Sequence, residues 1–153
     1  MILLQLFLIK LLTIMILQSG DTFVQIKVAK RSYPNNNDYW DGNWLLSEIK
    51  INVSGFKNIY RTNLRADDFQ RFYEGLEKLN KNLVKEVEFT TMEEGLYLKG
   101  QIDITGNIKW EGIAKSEPGS SSLTFLMETD NTSVSRLAKQ VKEILNNYPI
   151  VGT

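Results

Sequence analysis

Neither cysteine nor histidine occurs anywhere in this sequence of 153 residues. The first absence removes disulfides, thiolate nucleophiles and cysteine-based zinc sites, and it fits a reducing compartment without demanding one. The second removes the imidazole that serves as general base and metal ligand near neutral pH, and with it the Ser-His-Asp arrangement. Carboxylate, lysine, tyrosine or backbone chemistry is what remains. An excess of one charge sign is also missing, because 18 Lys and Arg balance 18 Asp and Glu. A neutral chain projects no long-range field toward a polyanion, which argues against nucleic acid as a partner. No glycine-rich phosphate loop, EF-hand loop or sequence repeat is present either, so no cofactor and no metal is expected.

What is present describes a globular protein. An apolar content of 42% with 24% charged residues is ordinary for a packed core, and the length suits one domain. The only long apolar run is Ile2 to Leu17, interrupted by Gln5, Lys10 and Thr13. As a signal peptide it lacks a positive charge before the apolar stretch, and Leu17-Gln18-Ser19-Gly20 makes a poor cleavage site. As a spanning helix it is short and carries a central charge. The preferred reading starts translation at Met15; export or anchoring and a packed terminal segment remain as alternatives. Residues 1–20 are accordingly an apolar extension and residues 21–153 the domain, expected to be cytoplasmic and off the membrane unless that extension is retained.

From Asp21 onward the side-chain pattern alternates with period two, the signature of half-buried strands. Val24, Ile26 and Val28 share one face of a strand over residues 22–30. Leu45, Ile49, Ile51 and Val53 do so in a second, turned back at Ser54-Gly55 into a third carrying Phe56, Tyr60, Thr62 and Leu64. The period then becomes 3.6: Phe69, Phe72, Tyr73, Leu76 and Leu79 form the stripe of a helix over residues 66–80, with Asp67 and Asp68 complementing the dipole in its first turn. Alternation returns through Val87 and Phe89, through Leu96, Leu98, Ile102 and Ile104 with Gly100 as a bulge or close approach, and through Ile108 and Trp110 until Gly112 and Ile113 break phase. A loop over residues 116–122 containing Pro118 precedes the strand of Leu123, Phe125 and Met127. A final helix carries Val134, Leu137, Val141, Ile144 and Leu145 and stops before Pro149. The order βββαββββα with short connections predicts an α+β domain, one curved antiparallel sheet of about seven strands with two amphipathic helices on one face.

Two segments hold the candidate functional residues. Asp38-Tyr39-Trp40-Asp41-Gly42-Asn43-Trp44-Leu45 packs two of the three tryptophans into a strand-to-strand connection, with Asp41-Gly42 as a turn that uses glycine's freedom at positive φ. Two uses are open: Trp44 in the core with Tyr39 and Trp40 capping a sheet edge, or a binding surface built on the loop. The second segment gathers Glu86, Glu88, Glu93 and Glu94 within nine positions, either as a solvated sheet face or as a surface for a basic partner. A small carboxylate enzyme is the rival reading, and it requires acidic side chains converging in a cleft.

The Trp40-Asp41-Gly42-Asn43-Trp44-Leu45 segment, the Phe125-Leu126-Met127-Glu128-Thr129-Asp130 lead into the last helix, the Ile102-Asp103-Ile104 stretch and the closing Tyr148-Pro149-Ile150 together resemble the WapI-type immunity proteins of bacterial contact-dependent toxin systems. The likeness spans about Met15 to Gly152. It implies a monomeric, non-enzymatic cytoplasmic protein that neutralises the C-terminal domain of a cognate toxin, often a nuclease, by occlusion. Tyr39, Trp40 and Asp41, with Glu86, Glu88, Glu93 and Glu94, are the expected contacts, and Trp44 is expected in the core.

Overall fold

The computed structural model describes residues 2–5, 13–117 and 119–152; the middle of the apolar run, residues 6–12, and Pro118 of the second loop lie outside them. Eight strands are described: β1 (Ile14–Ser19), β2 (Thr22–Arg31), β3 (Trp44–Val53), β4 (Phe56–Arg65), β5 (Glu86–Phe89), β6 (Leu96–Ile102), β7 (Asn107–Lys115) and β8 (Ser122–Asp130). Two long helices, α1 (Ala66–Asn80) and α2 (Thr132–Asn147), close the two halves, and residues 2–5 add an exposed helical stretch. Among these, no helix is long and apolar enough to cross a membrane.

The α+β class holds, but the single seven-stranded sheet does not. The strands form two four-stranded antiparallel sheets, ordered β1-β2-β3-β4 and β5-β6-β7-β8. Two features cause the difference. Helix α1, at 15 residues about 22 Å long, carries the chain away from β4, so β5 opens a new sheet instead of extending the old one. The eighth strand is Ile14–Ser19, paired antiparallel with β2 from Ile14 opposite Lys27 to Ser19 opposite Thr22. Met15 and Leu17 are buried there, while Ile14 and Ile16 on the other face are half-buried and just as apolar. With both faces apolar, no alternation marks the strand in sequence.

The chain therefore runs through the order ββββα twice, a duplication of topology invisible in the sequence. The helices do not lie side by side on one sheet as expected. They pack on each other and cross over, α1 against β5 of the second sheet and α2 against β1 of the first. Phe69 and Phe72 of α1 meet Phe89 of β5 with ring centroids 5.6 and 5.4 Å apart. One continuous core results, with both helix stripes and the inner faces of both sheets in it.

Several local expectations change. Strand β6 stops at Ile102, because Asp103 Oδ1 accepts hydrogen bonds from the backbone N–H of Thr105 and Asn107 and fixes a turn there; Ile104 is fully exposed. Strand β7 runs through Gly112 without losing phase, with Trp110, Gly112 and Ala114 all inward. Gly112 is needed because a Cβ there would fall 2.1 Å from the Phe125 ring on the neighbouring strand. Gly100 likewise makes room for the fully buried Trp110, which would lie 2.8 Å from its Cβ, and the register shows no bulge.

Candidate functional site

The loop between β2 and β3 is organised by a residue outside it. Arg65, the last residue of β4, is 1% exposed and is among the largest fully buried side chains. A buried guanidinium is tolerated only if its donors are satisfied. Here its Nη1 donates to the Trp40 carbonyl at 2.6 Å, its Nη2 to the Tyr39 carbonyl at 2.9 Å and its Nε to Asp67 Oδ1 at 2.9 Å. The cation also lies 5.2, 5.5 and 5.0 Å from the ring centroids of Tyr39, Trp40 and Trp44. One side chain thus fixes two consecutive carbonyls and three rings by charge-assisted bonds and cation–π contact.

The acids at the start of α1 complete the anchor. Asp67 Oδ2 accepts from the Tyr39 hydroxyl at 3.0 Å, and Arg71 reaches both Asp67 and Asp68 at 3.2 and 2.6 Å. Asp68 also accepts the Arg65 backbone N–H at 2.8 Å, one of the orphan donors at a helix start. Burial pushes the Asp68 carboxyl up to about 6 against these donors. At Asp67 burial acts in the same direction, but the Tyr39 hydroxyl and the Arg65 charge outweigh it and hold the group below its ordinary range. Both acids face arginines and the helix start, not a cleft, so the raised value at Asp68 reflects structure.

A second clamp comes from the C-terminal tail. The fully buried Asn43 donates to the carbonyls of Tyr39 at 2.8 Å and Val151 at 3.0 Å, and its Oδ1 accepts the Val151 N–H at 3.0 Å. Arg31 donates to the carbonyls of Gly42 at 2.7 Å and Pro149 at 2.6 Å. Its direction follows a register shift between Val28 and Lys30, a bulge that rephases the end of β2. The chain turns at Asp41-Gly42 as expected, but Gly42 does not use positive φ there. It is required by close approach, since a Cβ would lie 2.6 Å from both the Asp38 carbonyl and Val151 Cγ2.

The predicted residues now have places. Trp40 projects from this platform 62% exposed, edge-on to the half-buried Tyr39 at 5.6 Å. Asp41 is exposed, its N–H capped by Asp38 Oδ1 at 2.8 Å. Trp44 is half-buried against Arg65, not a core residue; the core tryptophan is Trp110, whose indole N–H donates to Thr129 Oγ1 at 2.9 Å. Glu86 and Glu88 sit on the outer face of β5, where Lys99 lies 3.1 and 4.0 Å from them. Glu94, in the β5–β6 turn, pairs with Lys115 at 3.1 Å. Glu93 is exposed beside it and makes no ion pair among the described residues. No hydrogen bond, ion pair or ring contact among the described residues joins this acidic set to the Tyr39–Asp41 set, and no three acidic residues gather as a metal site.

Sequence reasoning missed Arg65, Asn43 and Arg31. The available signal was an arginine set directly before Asp67 and Asp68 at a strand–helix junction, a position where a charged side chain is either exposed or paired.

A family model described as the immunity protein WapI-like family matches residues 15–149. No curated protein sequence matches the chain. Among solved structures the chain is similar to one described as "Crystal structures of trypanosoma bruciei MRP1/MRP2", at 8% identity and a TM-score of 0.49 over 89% of this chain and 84% of that one. It is also similar to one described as "Structure of a guideRNA-binding protein complex bound to a gRNA", at 10% identity and a TM-score of 0.46 over 82% and 79%.

Proposed function

We infer function from membership: the chain belongs to the WapI-like immunity protein family, which implies toxin neutralisation, a cognate toxin as partner and no catalysis of its own. Beyond that, we propose that it seats on the C-terminal domain of its toxin, a nuclease with a basic cleft, in the cytoplasm of the producing cell, and blocks it by steric and electrostatic occlusion. Tyr39, Trp40 and Asp41 are the proposed anchor. Glu86, Glu88, Glu93 and Glu94 are the proposed steering surface.

The observation that supports the anchor is an indole 62% exposed on a backbone that Arg65 and Asn43 hold from beneath. Exposing tryptophan costs solubility, and a rigid tryptophan loses little entropy when buried by a partner, which is why such residues dominate binding energy in interfaces. The acidic residues carry less weight each. Glu86, Glu88 and Glu94 already face lysines, so their part is in encounter rate and orientation.

Titration of the neighbouring toxin's C-terminal domain tests the assignment. Replacing Trp40 by Ala is expected to weaken binding about 30-fold or more, while lowering folding stability by only about 0.5–1 kcal/mol through its contact with Arg65. Neutralising the four glutamates is expected to slow association and flatten its salt dependence. Undiminished inhibition and copurification after alanine replacement of all seven residues would place the interface elsewhere.

A further inference from the structure

Four strands terminate the two sheets, and three of them are guarded. On β1 the Ile16 N–H donates to Gln140 of α2 at 2.9 Å, so a helix side chain occupies that edge. β5 is only four residues long and carries Glu86 and Glu88. β4 has Lys57 and Arg61 along it, and its middle lies against the β5–β6 turn, where the Tyr60 hydroxyl donates to the Gly95 carbonyl at 2.7 Å. Helix cover, shortness and charge are the usual protections of a sheet edge.

β8 is the least protected: it is not short, no helix side chain bonds to its backbone from Ser122 to Thr129 among the described residues, and its only charges, Glu128 and Asp130, lie in its C-terminal half. It is nine residues long, pairs with β7 without a register shift, and contains no lysine, arginine, proline or glycine. Among the described residues, no backbone group from Ser122 to Thr129 makes a hydrogen bond beyond the β7 ladder. Leu126 stands at its midpoint 70% exposed. Shallow grooves lie on either side, one lined by Val53, Phe56, Leu123 and Phe125, the other by Trp110, Met127 and Glu128. Phe56 is itself 64% exposed.

We propose that β8 is a dimerisation edge that pairs antiparallel with β8 of a second copy about a two-fold axis through Leu126, joining two four-stranded sheets into one of eight. The strand's own sequence selects this occupant. In that register Leu126 meets Leu126, Phe125 meets Met127, Thr124 meets Glu128, Leu123 meets Thr129 and Ser122 meets Asp130. Of the inward positions, Phe125 and Met127 place apolar against apolar, and Leu123 meets the methyl-bearing Thr129. Both carboxylates face hydroxyls, and no like charges oppose each other, as a cross-strand pair requires. It is also the only antiparallel register that uses all nine residues; an axis through Glu128 would set that carboxylate against its own copy. A C2 interface needs self-complementarity of this kind. The contact is small, so the dimer is weak, with a dissociation constant on the order of 10–100 µM. It leaves Trp40 outside the pairing and stands apart from the toxin reading.

Sedimentation and light scattering of the isolated protein, over a concentration range spanning that constant, test the pairing. The wild-type mass is expected to rise from one chain to two, with slowed amide exchange at alternate residues of Ser122–Asp130 at the higher concentration. Leu126→Lys, at an exposed position that leaves the fold intact, sets two ammonium groups on the axis and is expected to weaken association at least tenfold with an unchanged unfolding midpoint. Thr124→Pro, which places a ring in the pairing strand, gives a second disruption. A wild-type chain monomeric throughout overturns the proposal, as does a dimer that Leu126→Lys leaves equally tight. A monomer in which Leu126→Lys lowers toxin affinity would instead assign the edge to the toxin, and would equally overturn it.

Discussion

Arg65→Met removes the guanidinium fork while keeping an apolar stem in the same space. The Trp40 carbonyl then loses the donor at 2.6 Å, the Tyr39 carbonyl loses one of its two donors, and Asp67 loses a 2.9 Å ion pair while retaining Tyr39 and Arg71. Breaking a buried charge pair by removing one partner costs about 3–5 kcal/mol. Two considerations place this site at the lower end: Asp67 keeps two partners, and the loop carbonyls can turn toward water. The expected loss is therefore about 3 kcal/mol, which at a urea slope near 2 kcal/mol per molar moves the midpoint down by roughly 1.5 M. Arg65→Lys can recover one of the three bonds and is expected to fall between the two. Urea unfolding followed by circular dichroism gives the global number. Limited proteolysis in residues 36–43 gives the local one, since a loop cut loose opens below the global unfolding free energy. A variant whose midpoint stays within about 0.3 M of wild type, with the loop still protected, would show that Arg65 does not hold the loop.

Other outcomes follow from the same structure. Because burial raises the Asp68 carboxyl to about 6, the native state binds its proton where the unfolded chain does not, so this group's contribution to stability is full below about pH 4 and is lost as pH rises through 6. Asp67, held low, acts in the opposite sense, with stability present above its unfolded value and lost as pH falls. The margin of the wild type over Asp68→Asn should therefore shrink between pH 4 and 6 in thermal melts, and a constant margin would contradict the assignment. A chain begun at Met15 should keep both sheets, whereas one begun at Asp21 loses β1 with the buried Met15 and Leu17, a cost of about 4–5 kcal/mol measurable by denaturant titration. Gly100→Ala should cost about 1–3 kcal/mol through the Trp110 ring it meets, visible as a lowered melting temperature.

The sequence announced its elements wherever one face was apolar and the other polar. β2, β3, β4 and both helices were legible for that reason, and so was the two-residue hairpin at Ser54-Gly55, where both residues adopt positive φ. Legibility failed where periodicity carried no contrast. β1 is apolar on both faces, and β7 reads as broken because Gly112 contributes no side chain to the face it occupies. Sheet partition was hidden for a different reason: which strand pairs with which is a long-range fact, and a helix between β4 and β5 is compatible with one sheet or two. The site divided in the same way. Trp40 and Asp41 could be picked out as dense and exposed, but Arg65 could not be separated from a surface arginine until its three acceptors were in view.

The anchoring of the 38–43 loop bears on which half of the proposed interface should matter more. Residues 38–43 contain no strand or helix, yet five outside groups fix them: Arg31, Arg65, Asp67, the Val151 backbone and the close-packed Gly152, where an added Cβ would fall 2.3 Å from the Tyr39 nitrogen. Such a loop presents Trp40 in one orientation before any partner arrives, so little ordering entropy is left to lose on contact. The glutamates are in the reverse position. Glu86 and Glu88 share Lys99, and Glu94 holds Lys115, so a partner's cations must displace existing pairs before they gain new ones. That exchange is nearly neutral in free energy at an exposed surface. Glu93 has no such competitor among the described residues, and Glu93→Gln should therefore slow association more than any other single neutralisation in the set, while Trp40→Ala should act on dissociation. If Glu86→Gln proved the larger rate effect, the steering would run along the β5 face and not from the turn.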